Sequence, residues 1–203
     1  MLHQKSALRL AAPVAVLALA LTACGGGEDT ADTADKPQDT SSSAGKPEVS
    51  PEPESGGELA TGESATGKVT EGEAPVTYEI VAQKADVGTE ADAAKLVSDP
   101  EKAKGLVLVV AHVKYTHKEG PALTESPEVQ RGVSISADGT RGSMLIGAAD
   151  DAAGCEDPYG LKGWKQGESH VLCETYLVPA GSKQIEVQWA EENGEPFIWK
   201  FAS

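Results

Sequence analysis

The stretch GLVLVVAHVKYTH, residues 105–117, carries the strongest strand pattern in the chain. Every second residue from Val107 to Tyr115 is apolar, and the intervening residues are apolar as far as Val110. A strand with two apolar faces lies inside a sheet rather than at its edge. The sequence therefore predicts a central strand whose second face is exposed only near His112 and Lys114.

Two histidines lie on this predicted strand, at positions 112 and 117. Side chains alternate between the two faces of a strand, so residues five apart point to opposite sides. The strand alone therefore cannot present His112 and His117 as a pair of metal ligands. We expect each of them to be solvated or packed at an edge of the sheet.

Asp138-Gly139 is the clearest turn signal in the sequence. It separates two predicted strands, residues 129–137 and 140–147. An Asp-Gly pair favours a type I′ turn, which joins two antiparallel strands through a two-residue loop. The spacing then predicts that Val133 lies opposite Met144 on one face of the sheet. A further strand is predicted over residues 168–178.

The register of the last two strands follows from their apolar faces. A two-residue loop at Asn193-Gly194 would place these faces on opposite sides of the sheet, where they could not share a core. A three-residue loop with Gly194 in the left-handed conformation instead pairs Trp189 with Phe197 and Val187 with Trp199, and we predict this register. The two faces consist of Ile185, Val187 and Trp189, and of Phe197, Trp199 and Phe201.

Residues 74–203 are therefore predicted to form an all-β domain. The strand patterns begin with the alternation of Val76, Tyr78 and Ile80. Helical signals are limited to a capping box at Thr89 and Asp92 and a short turn after Asp99-Pro100. About seven strands joined mostly by short turns predict an antiparallel, immunoglobulin-like β-sandwich.

Three features follow one another over residues 105–189: the strand Leu106–Tyr115, the Asp138-Gly139 turn, and Gly167-Glu168-Ser169 leading through Val171 and Tyr176 to Val178-Pro179-Ala180-Gly181. Their order resembles the telokin-like, immunoglobulin-type domains found on bacterial lipoproteins. Where members of that family often have an asparagine-centred turn after the long strand, this chain has Thr116-His117-Lys118-Glu119-Gly120. The resemblance implies a fold and a location, and it supplies no catalytic residues.

Residues 1–24 have the layout of an export signal. Lys5 and Arg9 precede an apolar run of about 12 residues, whereas a membrane-spanning helix needs roughly 20. The closing residues Leu21-Thr22-Ala23-Cys24 resemble the lipobox of bacterial lipoproteins, which implies that Cys24 carries fatty acyl chains such as palmitate. We expect residues 1–23 to be removed and the protein to be anchored on the extracytoplasmic face of the cell membrane. A secretory signal that is cut without lipidation is the alternative.

Residues 24–73 are predicted to form the lipidated N-terminus and a disordered acidic linker. The segment is rich in Gly, Ser, Thr, Pro, Asp and Glu and has no aromatic residue, so it cannot bury enough apolar surface to become ordered. The formal charge of the chain is −15, and both the linker and the following domain are acidic. An acidic surface without a basic patch repels phosphate, so we expect no nucleic-acid partner.

Cys155 and Cys173 remain once Cys24 carries the lipid. An even pair of cysteines on an exported chain predicts a disulfide. Closing a loop of about 18 residues would stabilise the fold by about 3 kcal/mol. The alternative is an enzyme in which Cys155 is a nucleophile and His170 is its base. The sequence lacks the usual zinc-protease, serine-hydrolase and phosphate-loop motifs, so we expect no enzymatic activity.

The irregular stretch 148–167 holds the candidate binding residues of the domain. Tyr159, Leu161 and Trp164 are candidates for contact with an envelope protein or a glycan, unless the tryptophan folds back onto the sandwich. Carboxylates in the same stretch are candidate ligands for calcium, a cation that prefers oxygen atoms. These carboxylates are Asp150, Asp151, Glu156 and Asp157.

Together these features predict a membrane-anchored, non-enzymatic lipoprotein that presents a β-sandwich binding domain in the cell envelope. A calcium-responsive structural protein of the envelope is the alternative. An extracellular enzyme that uses Cys155 and His170 is a further alternative. We expect no cofactor other than calcium, and we expect the membrane to be contacted through the lipid.

Overall fold

A computed structural model of the chain describes residues 56–149 and 152–203. The described residues form two five-stranded sheets with one α-helix, which confirms the predicted all-β sandwich. The predicted signal peptide, Cys24 and the linker up to residue 55 lie outside the described residues, as do Asp150 and Asp151. Among the described residues, no helix is both long enough and apolar enough to cross a membrane.

The strands differ widely in length, from two residues to 14. Seven of the ten described strands have five residues or more, in agreement with the predicted number. The strands are β1 (Gly57–Leu59), β2 (Ala65–Glu71), β3 (Ala74–Val87), β4 (Leu106–Glu119), β5 (Val133–Ala137), β6 (Thr140–Arg141), β7 (Ser143–Met144), β8 (Ser169–Pro179), β9 (Gln184–Trp189) and β10 (Phe197–Ala202). Helix α1 is Glu90–Leu96, and 3-10 turns occur at Pro100–Ala103, Val129–Gly132 and Pro158–Gly160.

The strand order is that of an immunoglobulin-type sandwich. One sheet has the order β2-β3-β4-β8-β7, and the other has the order β1-β10-β9-β5-β6. Strands β3, β4, β8 and β7 correspond in order to strands A, B, E and D of that fold, and β10, β9, β5 and β6 correspond to G, F, C and C′. Neighbouring strands are antiparallel except β1, which runs parallel to β10.

The folded region begins before residue 74, so the predicted boundary of the linker is wrong. Strand β2 pairs along its whole length with β3, and Leu59 of β1 and Ala65 of β2 are buried in the core. Gly67 of β2 packs against the indole of Trp189, where a Cβ atom would come within 2.2 Å of the ring. The small residues of β2 allow it to pack closely against Trp189 of the other sheet. The same small residues give the segment the composition of a linker.

Strand β4 is central, as predicted, and pairs with β3 on one side and β8 on the other. The first half of its outer face is apolar because α1 and the turn after Pro100 cover it. Ala93, Ala103 and Leu177 are buried there, with Leu106 and Leu108 packed against them.

The predicted capping box is present, since the Thr89 hydroxyl accepts a hydrogen bond from the Asp92 N–H and the Asp92 carboxylate accepts one from the Thr89 N–H.

The two histidines of β4 correct the expectation of solvated positions. His112 is 2% exposed and His117 is fully buried. His117 lies on the core face among aromatic rings, 5.8 Å from the ring centre of Tyr78 and 6.5 Å from that of Trp164. His112 lies on the opposite face of the sheet, as the alternation requires.

The turn after β5 is confirmed, but the predicted continuation of its hairpin is wrong. Asp138 and Gly139 have φ angles of 46° and 77°, which suit a type I′ turn, and Ala137 pairs with Thr140. The hairpin stops after Arg141. The chain then changes sheets through Gly142, whose N–H still donates to the carbonyl of Ile135. Met144 therefore pairs with Tyr176 of the other sheet and does not face Val133.

The register of β9 and β10 is confirmed, with Trp189 opposite Phe197 and Val187 opposite Trp199. The turn itself differs from the prediction. Seven residues separate the two strands, and the left-handed residue is Asn193, with φ of 62°, rather than Gly194. Any odd loop length brings both apolar faces to one side. The predicted three-residue loop and the observed seven-residue loop are both centred on Asn193, so they give the same pairing.

Candidate functional site

The β7–β8 loop, residues 145–168, lies at one side of the sandwich and carries the candidate contact residues. Trp164 is 2% exposed, so it is not a contact residue; the structure instead shows the predicted alternative, in which the tryptophan folds back onto the sandwich. Its indole N–H donates to the carbonyl of Glu168, and its ring lies 4.7 Å from that of His170 and 5.3 Å from that of Tyr78. Trp164 belongs to the core of the domain.

The other two candidates differ from each other. Leu161 is partly buried against the core, whereas Tyr159 is 69% exposed. The backbone of Tyr159 is fixed, because its N–H donates to the carboxylate of Asp157 at the start of a 3-10 turn. Of the three predicted contact residues, Tyr159 alone presents most of its ring to solvent.

An apolar groove of about 360 Å³ runs beside Tyr159. Ile146 is 88% exposed and Met144 is 41% exposed, and both line this groove together with Tyr159. Sequence reasoning missed Ile146 because it assigned the residue to a strand with a buried face. The groove is lined by Gln130, Arg131, Met144, Leu145, Ile146, Gly147, Ala149, Glu156, Pro158, Tyr159, Cys173 and Glu174.

The predicted disulfide between Cys155 and Cys173 is present and contributes to the wall of the groove. It ties the β7–β8 loop to strand β8, with 5.6 Å between the two Cα atoms. Cys155 therefore carries no thiol in this structure. The imidazole next to both sulfur atoms is that of His112, whereas the predicted enzyme alternative paired Cys155 with His170.

His112 lies between the disulfide and an acidic side chain. Its Nδ1 atom is 3.3 Å from the sulfur of Cys173 and 3.6 Å from that of Cys155. Its Nε2 atom is 2.9 Å from the carboxylate of Asp86, although the carboxylate is not aligned with the N–H direction. Burial, followed by the positive charge of Lys84, lowers the pKa of His112. The imidazole is therefore neutral at ordinary pH.

Asp86 completes this cluster at the surface. A hydrogen bond from Lys84 lowers the pKa of Asp86, and His112 lowers it further, so the carboxylate stays ionised. Sequence reasoning missed the cluster because its members come from β3, β4, β8 and a loop. The bulge in β3 that shifts the register between Ala82 and Lys84 is what places Asp86 near His112, and the sequence carries no clear signal for it.

The carboxylates predicted as calcium ligands already accept hydrogen bonds where they are described. Glu156 accepts from the Val171 N–H and contacts Nδ1 of His170 at 2.8 Å, while Asp157 caps the following turn. Burial alone would raise the pKa of Glu156, but the hydrogen bonds from His170 and Val171 outweigh it and lower the pKa. The calcium site stays a prediction.

Comparison with known proteins gives two remote structural likenesses. A candidate lipoprotein of Staphylococcus aureus aligns over 68% of this chain and 92% of its own, with 12% sequence identity and a TM-score of 0.44. A candidate lipoprotein of Bacillus subtilis aligns over 62% of this chain and 36% of its own, with 12% identity and a TM-score of 0.38. No family model and no curated protein matches the chain.

Proposed function

We propose that this chain is a non-enzymatic, lipid-anchored protein of the cell envelope whose sandwich domain binds an apolar polypeptide segment. The observation that carries the binding role is the clustering of exposed apolar side chains. Among the described residues five large hydrophobic side chains are exposed, and three of them, Met144, Ile146 and Tyr159, line the same groove. A contiguous exposed apolar patch marks an interaction site more often than scattered single residues do.

The chemistry of the groove favours a polypeptide over a glycan. Sugar rings need aromatic platforms, whereas this groove offers one aromatic ring, that of Tyr159, and its surface is more apolar than polar although Gln130, Arg131, Glu156 and Glu174 also line it. Strand β7 is also an edge strand of its sheet, so one of its sides has no partner strand among the described residues. An extended peptide can pair with such an edge and place apolar side chains in the adjacent groove.

The anchor is supported by the sequence of residues 1–24, which lie outside the described part of the chain. A charged start, an apolar run too short to span the membrane and the lipobox-like end at Cys24 support export followed by lipidation. The acidic segment after Cys24 would hold the domain away from an anionic membrane surface. We place the domain on the extracytoplasmic side of the cell membrane.

Crosslinking on intact cells tests the binding role. A photoreactive phenylalanine analogue would replace Ile146 or Tyr159 in separate variants, and Leu96 on α1, which is 43% exposed, provides the matched control position. We expect the same polypeptide to be captured from positions 146 and 159 and not from position 96. An additional Met144→Asp substitution should reduce that capture. Equal capture from all three positions, or a carbohydrate adduct alone, would contradict the proposal.

Fractionation of a Cys24→Ser variant tests the anchor independently. We expect the variant to be uncleaved or released into the medium, because it cannot accept a lipid on the sulfur. The unchanged chain should sediment with membranes and extract with detergent. A Cys24→Ser protein that stays with membranes at its mature size would show that lipidation of this cysteine is not what holds the chain.

A further inference from the structure

We propose that, once the disulfide is reduced, Cys155, Cys173 and His112 form a binding site for a thiophilic d10 cation, and we commit to Zn²⁺. One ligand atom from each of these residues lies within 4.8 Å of the others. Two cysteines and one histidine, with a fourth position left open, is a known ligand set for zinc. This site would make the domain respond to the redox state of its surroundings as well as to a partner.

Reduction of the disulfide requires an external dithiol as the reductant. The dithiol breaks the Cys155–Cys173 bond and becomes a disulfide itself, and the two protein sulfurs each take up a proton. Zinc then displaces these two protons, because the thiolate and not the thiol is the ligand. The net charge of Zn²⁺ with two thiolates and a neutral imidazole is zero, which suits a half-buried site.

The geometry requires only a small movement of one sulfur. Zinc–sulfur bonds of about 2.3 Å at a tetrahedral angle place two sulfurs roughly 3.8 Å apart. Disulfide-bonded sulfurs are about 2.0 Å apart, so the two must separate by roughly 1.8 Å. Cys173 is held on strand β8, but Cys155 lies in the β7–β8 loop between irregular residues. The loop can therefore supply the movement.

His112 is positioned for this role before any metal arrives. Its side chain is almost completely buried, and its Nδ1 atom points at both sulfurs. In this structure Nδ1 is within hydrogen-bond distance of both sulfurs, while Nε2 lies 2.9 Å from the carboxylate of Asp86 without being aligned with it. Zinc binding at Nδ1 requires the proton of the neutral ring to lie on Nε2. The nearby carboxylate of Asp86 favours that tautomer.

The fourth coordination position would open toward the groove. Cys173 lines the groove, and both cysteines are half-buried, so water or a side chain of a bound partner can reach the cation. A hard cation such as calcium is disfavoured by sulfur ligands, whereas Zn²⁺ and Cu⁺ are both favoured. The site is thus chemically distinct from the calcium site predicted for the neighbouring carboxylates.

Zinc titration of the chain in both redox states tests the proposal. The Cys24→Ser chain serves as the starting protein, because it removes the third thiol. It would be reduced with a phosphine, which binds zinc weakly, or left oxidised, and titrated against a chromophoric zinc indicator. We expect one zinc per reduced chain and none per oxidised chain. Zinc K-edge absorption should show two sulfur and one imidazole ligand, and Co²⁺ should give a thiolate charge-transfer band.

Substitutions then assign the individual ligands. His112→Asn should weaken zinc binding by more than tenfold, and Asp86→Asn by about tenfold, because loss of a carboxylate behind a ligating histidine costs roughly 10- to 100-fold in affinity. His170→Asn is the matched control, since that imidazole contacts Glu156 rather than the sulfurs, and it should bind zinc normally.

Several outcomes would overturn the proposal. One is equal binding by the oxidised and reduced chains, and another is an absorption spectrum without a nitrogen ligand in the unsubstituted chain. A third is a reduced chain that loses its near-ultraviolet circular dichroism and does not regain it with zinc. Tight binding of Cu⁺ with no binding of Zn²⁺ would also refute the assignment of the ion.

Discussion

The groove end of the β7–β8 loop, residues 145–160, and its core end, residues 161–168, have opposite relations to the core, although both carry an aromatic residue next to a glycine. At the groove end, Ile146 and Tyr159 project into solvent beside a groove. At the core end, Trp164 is buried against Tyr78 and His170. One end of the loop therefore stabilises the fold, while the other leaves apolar surface uncovered.

Both ends of the loop are attached to the rest of the domain, so attachment does not explain the difference between them. Near Trp164 the loop is tied to a distant segment, because the Leu123 N–H donates to the carbonyl of Trp164 and the Gly163 N–H donates to that of Leu123. At the groove end, the disulfide and the Glu156 carboxylate fix the loop to β8. Both ends are held in place, so the exposure of Tyr159 does not reflect a lack of attachment.

Removing the Trp164 ring should have the largest effect on stability. Replacing a buried tryptophan with alanine leaves a cavity and costs about 3–5 kcal/mol, and here the hydrogen bond to Glu168 is lost as well. We expect Trp164→Ala to lower the free energy of unfolding by that amount in chemical denaturation. Trp164→Phe, which keeps a ring, should lose less. A loss below about 1 kcal/mol for the alanine variant would mean that this end is no more part of the core than the other.

Removing the disulfide should rank second. Replacing both cysteines with alanine frees a loop of 18 residues and should lower the free energy of unfolding by about 3 kcal/mol, chiefly by increasing the entropy of the unfolded chain. Denaturant titrations of the double variant and of the oxidised parent measure the difference. An unchanged midpoint would show that the groove end is held by its other contacts instead.

The sequence could not decide whether the rings of Tyr159 and Trp164 are exposed or buried. Both rings stand in a stretch without periodicity, and Trp164 packs against residues of β3, β4 and β8, which lie apart from it along the chain. The pairing of strands could be predicted, because alternating apolar residues show which side chains share a face. The Trp189–Phe197 pair was predicted correctly on this basis, although the loop between these residues is longer than expected.

The alternation along β4 also determines the face on which His117 lies. This residue shares the alternation of Val113 and Tyr115 and therefore belongs on the core face, where the structure places it. Because histidine is polar, a solvated position was expected, but the ring is buried among aromatic rings. The strands β1 and β2 were missed for a different reason. Their buried residues are few and small, so their composition resembles that of a linker.

Neutralising Glu156 should have a modest and pH-dependent effect. Its carboxylate is partly exposed and lies 2.8 Å from Nδ1 of His170, and exposed contacts of this kind contribute about 0–1 kcal/mol. The pKa of Glu156 is lowered in the folded state, so its contribution is present above the ordinary value of 4.5 and is lost as the pH falls through the folded pKa. We expect Glu156→Gln to melt slightly below the parent at neutral pH and together with it in acid. A difference that persists in acid would exclude ionisation as its cause.

Truncating the exposed side chains should have the smallest effect on stability and thereby isolate their role in binding. Ile146→Ser and Tyr159→Ser remove groups that contribute little buried surface, so each should change the free energy of unfolding by no more than about 0.5 kcal/mol. Leu96→Ser provides the control on α1. If the groove is the binding surface, the first two variants lose capture of the partner while melting like the parent, and the third keeps it. A large loss of stability in Ile146→Ser would instead assign this end of the loop to the core, and the contrast with Trp164 would disappear.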